Sequence, residues 1–291
     1  MKRWETEGIV ELEDLRLPSE EQLKKGTFRV NLYFKPNQIP IKKGECLGFS
    51  GRSGIKYPHL HFEMRDPQNR PINPLLHGID LQDTTPPKIT EFLLRPIGPH
   101  SKVLGGYHYQ IFQLQYNPSS HIYIYSVPIQ VTGQIGIEVK CYDLADAANN
   151  PLNPYRLSLL VNDTLYFRTT YQQFSYAKTH QICLDRDFQC WFRGEGIFQR
   201  LYQTPGNSLP FYYTANQFKG IIISTTPGPK EITIKVEDVK HNFSTAKFKL
   251  LFNQPPAISN ITYSSDSTLK IEAKSEKGDT IQNCQVLYSS D

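Results

Sequence analysis

Pro58-His59-Leu60-His61-Phe62-Glu63-Met64-Arg65 is the stretch from which the rest of this chain can be read. It is rich in strand formers, and in a strand successive side chains alternate faces. That alternation predicts His59, His61 and Glu63 on one side, with Leu60 and Phe62 packed on the other. Two neutral imidazoles side by side are what a zinc site uses when one binds the metal and the other works on the substrate. Taken alone, a His-x-His pair is better read as surface or hydrogen-bonded core histidines. Its surroundings change that reading.

Upstream lies Ile39-Pro40-Ile41-Lys42-Lys43-Gly44-Glu45-Cys46-Leu47-Gly48-Phe49-Ser50-Gly51-Arg52-Ser53-Gly54. Downstream are Arg65-Asp66-Pro67 and Pro71-Ile72-Asn73-Pro74-Leu75. With these elements in place, residues Phe28 to Leu76 resemble the lysostaphin-type zinc metallopeptidases, which cut the peptide cross-links of peptidoglycan. Their signature joins a Lys-Lys-Gly-(Glu/Gln) turn, a Gly-x-(Ser/Thr)-Gly loop, Pro-His-Leu-His-Phe-Glu-(Ile/Met)-Arg and Asn-Pro. The resemblance implies that His61 is a zinc ligand and that His59 is the catalytic imidazole. His59 would orient or deprotonate the zinc-bound water and stabilise the oxyanion. Glu63 would support an imidazole from behind; a solvated surface carboxylate is the other reading. In that family a His and an Asp from an upstream His-x-x-x-Asp complete the metal site. Three protein ligands leave a position for water, whose pKa zinc brings to about 7.

This sequence departs from the pattern at one place. No histidine precedes His59, and Glu5, Glu7, Glu11, Glu13, Asp14, Glu20 and Glu21 belong to no His-x-x-x-Asp. One imidazole alone holds zinc at a Kd on the order of millimolar, or about 4 kcal/mol. Zinc is therefore expected to bind weakly or not at all, and the chain should not be an autonomous protease. The favoured expectation is the C-terminal part of a larger cell-wall zinc metalloendopeptidase, because the family pattern is entered midway and the last module begins without finishing. The alternative is a non-catalytic envelope module whose degenerate peptidase half binds cell-wall peptide or a partner protein of the envelope.

Composition agrees with an all-β chain: the 291 residues include 21 Pro, 18 Gly, 17 Tyr and 16 Phe, with only 2 Met. A net charge of +4, from 32 basic and 28 acidic residues, is too small and too dispersed to point to nucleic acid. No run is long and apolar enough to span a membrane. Met1-Lys2-Arg3 has the basic start of a signal peptide, but no apolar core follows it. An exported protein, periplasmic or on the cell surface, would carry its signal ahead of this segment. Cys46, Cys141, Cys183, Cys190 and Cys284 form no C-x-x-C, so free buried thiols are expected, with a Cys183–Cys190 bridge left open.

Three segments follow from the punctuation. Residues 1–85 form the C-terminal part of the peptidase domain, a partial barrel, with a short helix over Glu20–Lys25 capped by Ser19 and stopped by Gly26. Asp83-Thr84-Thr85-Pro86-Pro87 is a stiffened linker. Residues 86–253 form an immunoglobulin-like β-sandwich, with strands at Ile135–Tyr142, Arg156–Val161 and Ile232–Val236, a turn at Asn162-Asp163, and a closing hairpin from Asp238 to Leu250. Pro86-Pro87-Lys88-Ile89 is echoed by Pro255-Pro256-Ala257-Ile258, so residues 254–291 open a further sandwich. The many aromatics between Tyr166 and Tyr213 are read as core for the most part, with sugar stacking as the alternative. His100, His108, His121, His180 and His241 have no ligand spacing.

Overall fold

The computed structural model describes residues 3–5, 23–26, 31–33, 40, 42, 44–46, 57–59, 62–224, 226–253, 257–263 and 269–274. Contacts divide the chain between Glu63 and Met64.

In the first unit, strand β1 (Arg3–Glu5) pairs antiparallel with β2 (Asn31–Tyr33), setting Trp4 opposite Leu32. Leu23, Lys24 and Lys25 are helical, and Gly26 follows at φ 61°, the left-handed conformation that ends a helix. The expected cap at Ser19 and the Gly51–Gly54 loop lie outside the described residues. Lys42 and Glu45 close a turn: the Glu45 N–H donates to the Lys42 carbonyl at 3.1 Å, and the Glu45 carboxylate accepts from the Lys42 N–H at 2.8 Å.

The second unit starts with a small hairpin, β3 (Met64–Arg65) against β4 (Pro71–Ile72). Asp66 builds its turn: Oδ1 accepts from the N–H groups of Gln68 and Arg70 at 3.0 and 2.9 Å, while Oδ2 accepts from Arg70 Nε at 2.6 Å. Asn73 then caps a short 3₁₀ turn over Pro74–Leu76 by accepting from the Leu75 N–H. Its own N–H donates to the Gln172 carbonyl at 2.8 Å, and its Nδ2 donates to the Tyr171 carbonyl at 3.2 Å. The Asn-Pro pair therefore pins the hairpin to the large sheet.

That sheet has twelve strands. Its first part comprises β5 (Lys88–Val103), β6 (Gln110–Gln113), β7 (Gln115–Asn117), β8 (Ile122–Ile124) and β9 (Ile129–Tyr142). Then follow β10 (Arg156–Val161), β11 (Thr164–Thr170), β12 (Gln199–Arg200), β13 (Tyr212–Thr214) and β14 (Ile222–Ile223). The hairpin of β15 (Gly228–Glu237) and β16 (Phe243–Phe252) closes it. The path runs β13-β11-β10-β15-β16-β9-β5-β6, and β16 pairs in parallel with β8 and β9, so the sheet is mixed. The strands β17 (Ala257–Tyr263) and β18 (Leu269–Lys274) pair antiparallel. Both double prolines of the sequence thus stand directly before a strand.

Alternation explains the core. Leu157, Leu159 and Val161 on β10, Ile232, Ile234 and Val236 on β15, and Ala246, Phe248, Leu250 and Phe252 on β16 are all buried at every second position. They join Ile89, Phe92 and Leu94 of β5 and Ile135, Ile137 and Val139 of β9 in one apolar cluster. The Phe92 ring stacks on Phe248 with centroids 3.9 Å apart, packing β5 against β16 in the core of a β-sandwich. The turn between β10 and β11 is Asn162-Asp163, with φ of 49° and 60°, the two-residue pattern that matches strand twist. The chain is all-β, as its composition predicts.

Candidate functional site

His59 occupies a β-bridge position and is half-buried. Its Nδ1 lies 3.1 Å from the Tyr57 carbonyl oxygen. A carbonyl only accepts, so Nδ1 is a donor here, and Nε2 is the nitrogen that a neutral ring would offer as base. Glu63 is half-buried as well. His61 and Leu60 lie outside the described residues, and with them the shared face expected of the two imidazoles. Phe62 is 59% exposed instead of packed. Among the described residues no three metal-ligating side chains gather at His59.

A different cluster does gather. Asp83, Asp143 and Asp238 each bring a ligand oxygen within 4.8 Å of the others. Asp143 is the residue after β9 and Asp238 the residue after β15; they are 4% and 2% exposed, while Asp83 is half-buried in the segment leading to β5. Asp83 accepts from the Thr85 N–H at 3.0 Å. Asp238 takes the Asn242 N–H at 2.9 Å and Asn242 Nδ2 at 2.7 Å. Asp143 Oδ1 is buried and has no hydrogen-bond partner. Burial pushes the Asp143 carboxyl up, to about 6, and the charges of Asp83 and Asp238 push the same way. Among the described residues, no Lys or Arg forms an ion pair with any of the three; Lys240, nearest in sequence, pairs with Asp80. Asp83 and Asp143 also line a largely apolar cavity of about 470 Å³ walled by Ile72, Pro74, Leu152 and Phe211.

On the other part of the sheet lies a second acidic group with opposite company. Glu138 of β9 is fully buried, and Asp187 caps the short helix Phe188–Phe192 by accepting from the N–H groups of Gln189 and Cys190. Arg95 of β5 donates to Glu138 at 2.8 Å and also to Asp187. Arg200 of β12 lies 3.6 Å from Glu138 and 3.4 Å from Asp187. Tyr202 donates its hydroxyl to Glu138 at 2.9 Å. Its ring lies close against Gly136, where an added Cβ would stand 2.6 Å from a ring carbon. Burial raises the Glu138 carboxyl, to about 7, against the pull of Arg95 and Arg200. Against its own burial, Arg95 and Arg200 hold Asp187 below the usual carboxylate range.

The described cysteines are all free; Cys141 and Cys190 are buried as expected, whereas Cys46 and Cys183 are exposed. Phe167 and Tyr202 are core residues, but Phe188, Trp191 and Phe192 form an exposed aromatic group on their helix. No family model matches the chain, and no curated protein or solved structure matches it either.

Proposed function

We propose that this sequence is part of a zinc metalloendopeptidase that hydrolyses the peptide cross-links of peptidoglycan, incomplete and inactive by itself. His59 is its catalytic imidazole, His61 one of its metal ligands, and Glu63 a support behind them. The β-sandwich is the module that positions or tethers the enzyme in the bacterial envelope. The observation that carries this reading is the His59–Tyr57 hydrogen bond. With Nδ1 donating to the Tyr57 carbonyl, Nε2 is left as the group that can take a proton from a nucleophilic water. The Lys42–Glu45 turn and the Asn73-Pro74 anchor supply the flanking elements of the same motif.

The test uses the natural polypeptide that carries these residues. It should contain zinc and release peptides from peptidoglycan. His61→Ala should lose metal and hydrolysis together, whereas His59→Ala should keep the metal and lower kcat by about 10²- to 10⁴-fold. Residues 1–291 alone should retain little zinc after dialysis and release nothing. A natural polypeptide with neither zinc nor hydrolysis would overturn the enzyme reading. It would favour a non-catalytic envelope module, for which the exposed Phe188, Trp191 and Phe192 offer a binding surface.

A further inference from the structure

We propose that Asp83, Asp143 and Asp238 form a binding site for a hard divalent cation, calcium by preference, that fastens the segment before β5 to the ends of β9 and β15. The site is separate from the histidine motif and stands or falls without it. Three observations carry the proposal, and each concerns a different property.

The first is donor chemistry. The cluster offers carboxylate oxygens and neither imidazole nor thiolate, which suits calcium, magnesium or manganese and disfavours zinc. The second is spacing. Calcium holds its oxygens at about 2.3–2.6 Å, so two oxygens on opposite sides of one ion stand about 5 Å apart. The three ligand atoms lie within 4.8 Å of one another, inside that limit without any movement. A magnesium ion, at about 2.0–2.1 Å, demands a tighter and more regular cage.

The third observation is the unmet demand of one atom. Asp83 and Asp238 have N–H donors from Thr85 and Asn242. Asp143 Oδ1 has none, although the residue is 4% exposed. Buried polar atoms in folded proteins are nearly always paired, and a buried charge is paired or bound to a metal. The groups around Asp143 are themselves negative, so a neutral donor would satisfy the oxygen and leave the repulsion untouched. A cation satisfies both.

The position gives the site a consequence for the chain. Asp83 lies in the segment that leads from the β3–β4 hairpin into β5, and Asp143 and Asp238 lie where two central strands end. Asp146 already holds this segment by accepting from the Thr84 N–H and from the hydroxyls of Thr84 and Thr85. Asn242 adds a bond from Nδ2 to the Asp83 carbonyl at 3.1 Å. A bound ion completes that fastening at Asp143 Oδ1, which the chain itself leaves unpaired.

The test is a titration of the chelator-treated full chain with calcium, magnesium and zinc chlorides, read by calorimetry and by thermal unfolding. One saturable calcium site is expected, with a Kd on the order of 10⁻⁴–10⁻³ M, and magnesium at least tenfold weaker. Calcium should raise Tm. Asp143→Asn, isosteric and uncharged, should weaken calcium binding at least tenfold while the metal-free chain keeps its far-UV circular dichroism. Asp83→Asn, at a half-buried loop position, serves as the second variant should Asp143→Asn fold poorly. Asp66→Asn, in the β3–β4 turn, should leave calcium affinity unchanged. No saturable calcium binding, a calcium affinity untouched by both Asp83→Asn and Asp143→Asn, or a preference for zinc at these carboxylates would each overturn the proposal.

Discussion

Two sets of buried carboxylates share one β-sandwich and are treated in opposite ways. Around Glu138 and Asp187 the chain supplies its own counter-charge: two guanidinium groups face two carboxylates, with the Tyr202 hydroxyl as an added donor. Around Asp143 it supplies further negative charge and no guanidinium; one buried oxygen in each set, Glu138 Oε2 and Asp143 Oδ1, lacks a hydrogen-bond donor. Burial raises both Glu138 and Asp143, but only for Glu138 do arginines pull back. The contrast separates a cluster whose charge is balanced by folding from one whose charge is left for something added afterwards. It also shows why burial of acid groups is uninformative until their partners are named.

The largest effect should come from breaking the balanced cluster. Arg95→Met leaves Glu138 and Asp187 without the guanidinium that bonds both, and should cost about 3–5 kcal/mol. The measurement is the urea midpoint at unchanged m-value. A loss below about 1 kcal/mol would mean that Arg200 suffices, and the two clusters would then differ less than their geometry says.

Gly136→Ala probes the same cluster through shape. The new methyl group would stand 2.6 Å from the Tyr202 ring, so the ring must shift and its hydroxyl leaves Glu138. Overpacking of this kind should cost about 1–3 kcal/mol. If the variant melts like the parent, the ring has room that the fold does not suggest.

The smallest effect should have the opposite sign. In chelator, Asp143→Asn removes one negative charge from between two others and should stabilise the chain by about 1 kcal/mol, after allowance for solvent screening. In saturating calcium that gain should vanish or reverse. A destabilised metal-free variant would show that the chain satisfies Asp143 by itself and would erase the contrast.

Much of the sandwich is legible from local pattern. Arg156–Val161 and the turn at Asn162-Asp163 follow from alternation and from residues that tolerate positive φ. Ile135–Tyr142 and Ile232–Val236 are each part of a longer strand, since alternation marks the buried stretch and not where pairing stops. The full reach of β5 to Val103 is not legible, because Pro96, Gly98 and Pro99 argue against a strand. The fold accommodates them with an irregularity between Ile97 and Lys102, where β5 loses and regains register with β9. Of the strand expected at the histidine motif, His59 is met as a β-bridge position. The carboxylates of residues 83, 143 and 238 are not legible, since sheet topology alone brings such distant positions together. Their one trace is that Asp143 and Asp238 each directly follow a strand.

Strand β9 has a consequence for how the chain is made. Its partners come from β5, β12, β14 and β16, residues that span almost the whole sandwich. The last of them, β16, leaves the ribosome roughly 110 residues after β9 does. At about 5–20 residues per second, that is an interval of about 5 to 20 seconds. During it, the side of this long apolar strand away from β5 is filled only piecewise, as β12, β14 and then β16 emerge. Synthesis therefore sets a window in which this edge can capture a neighbouring nascent chain.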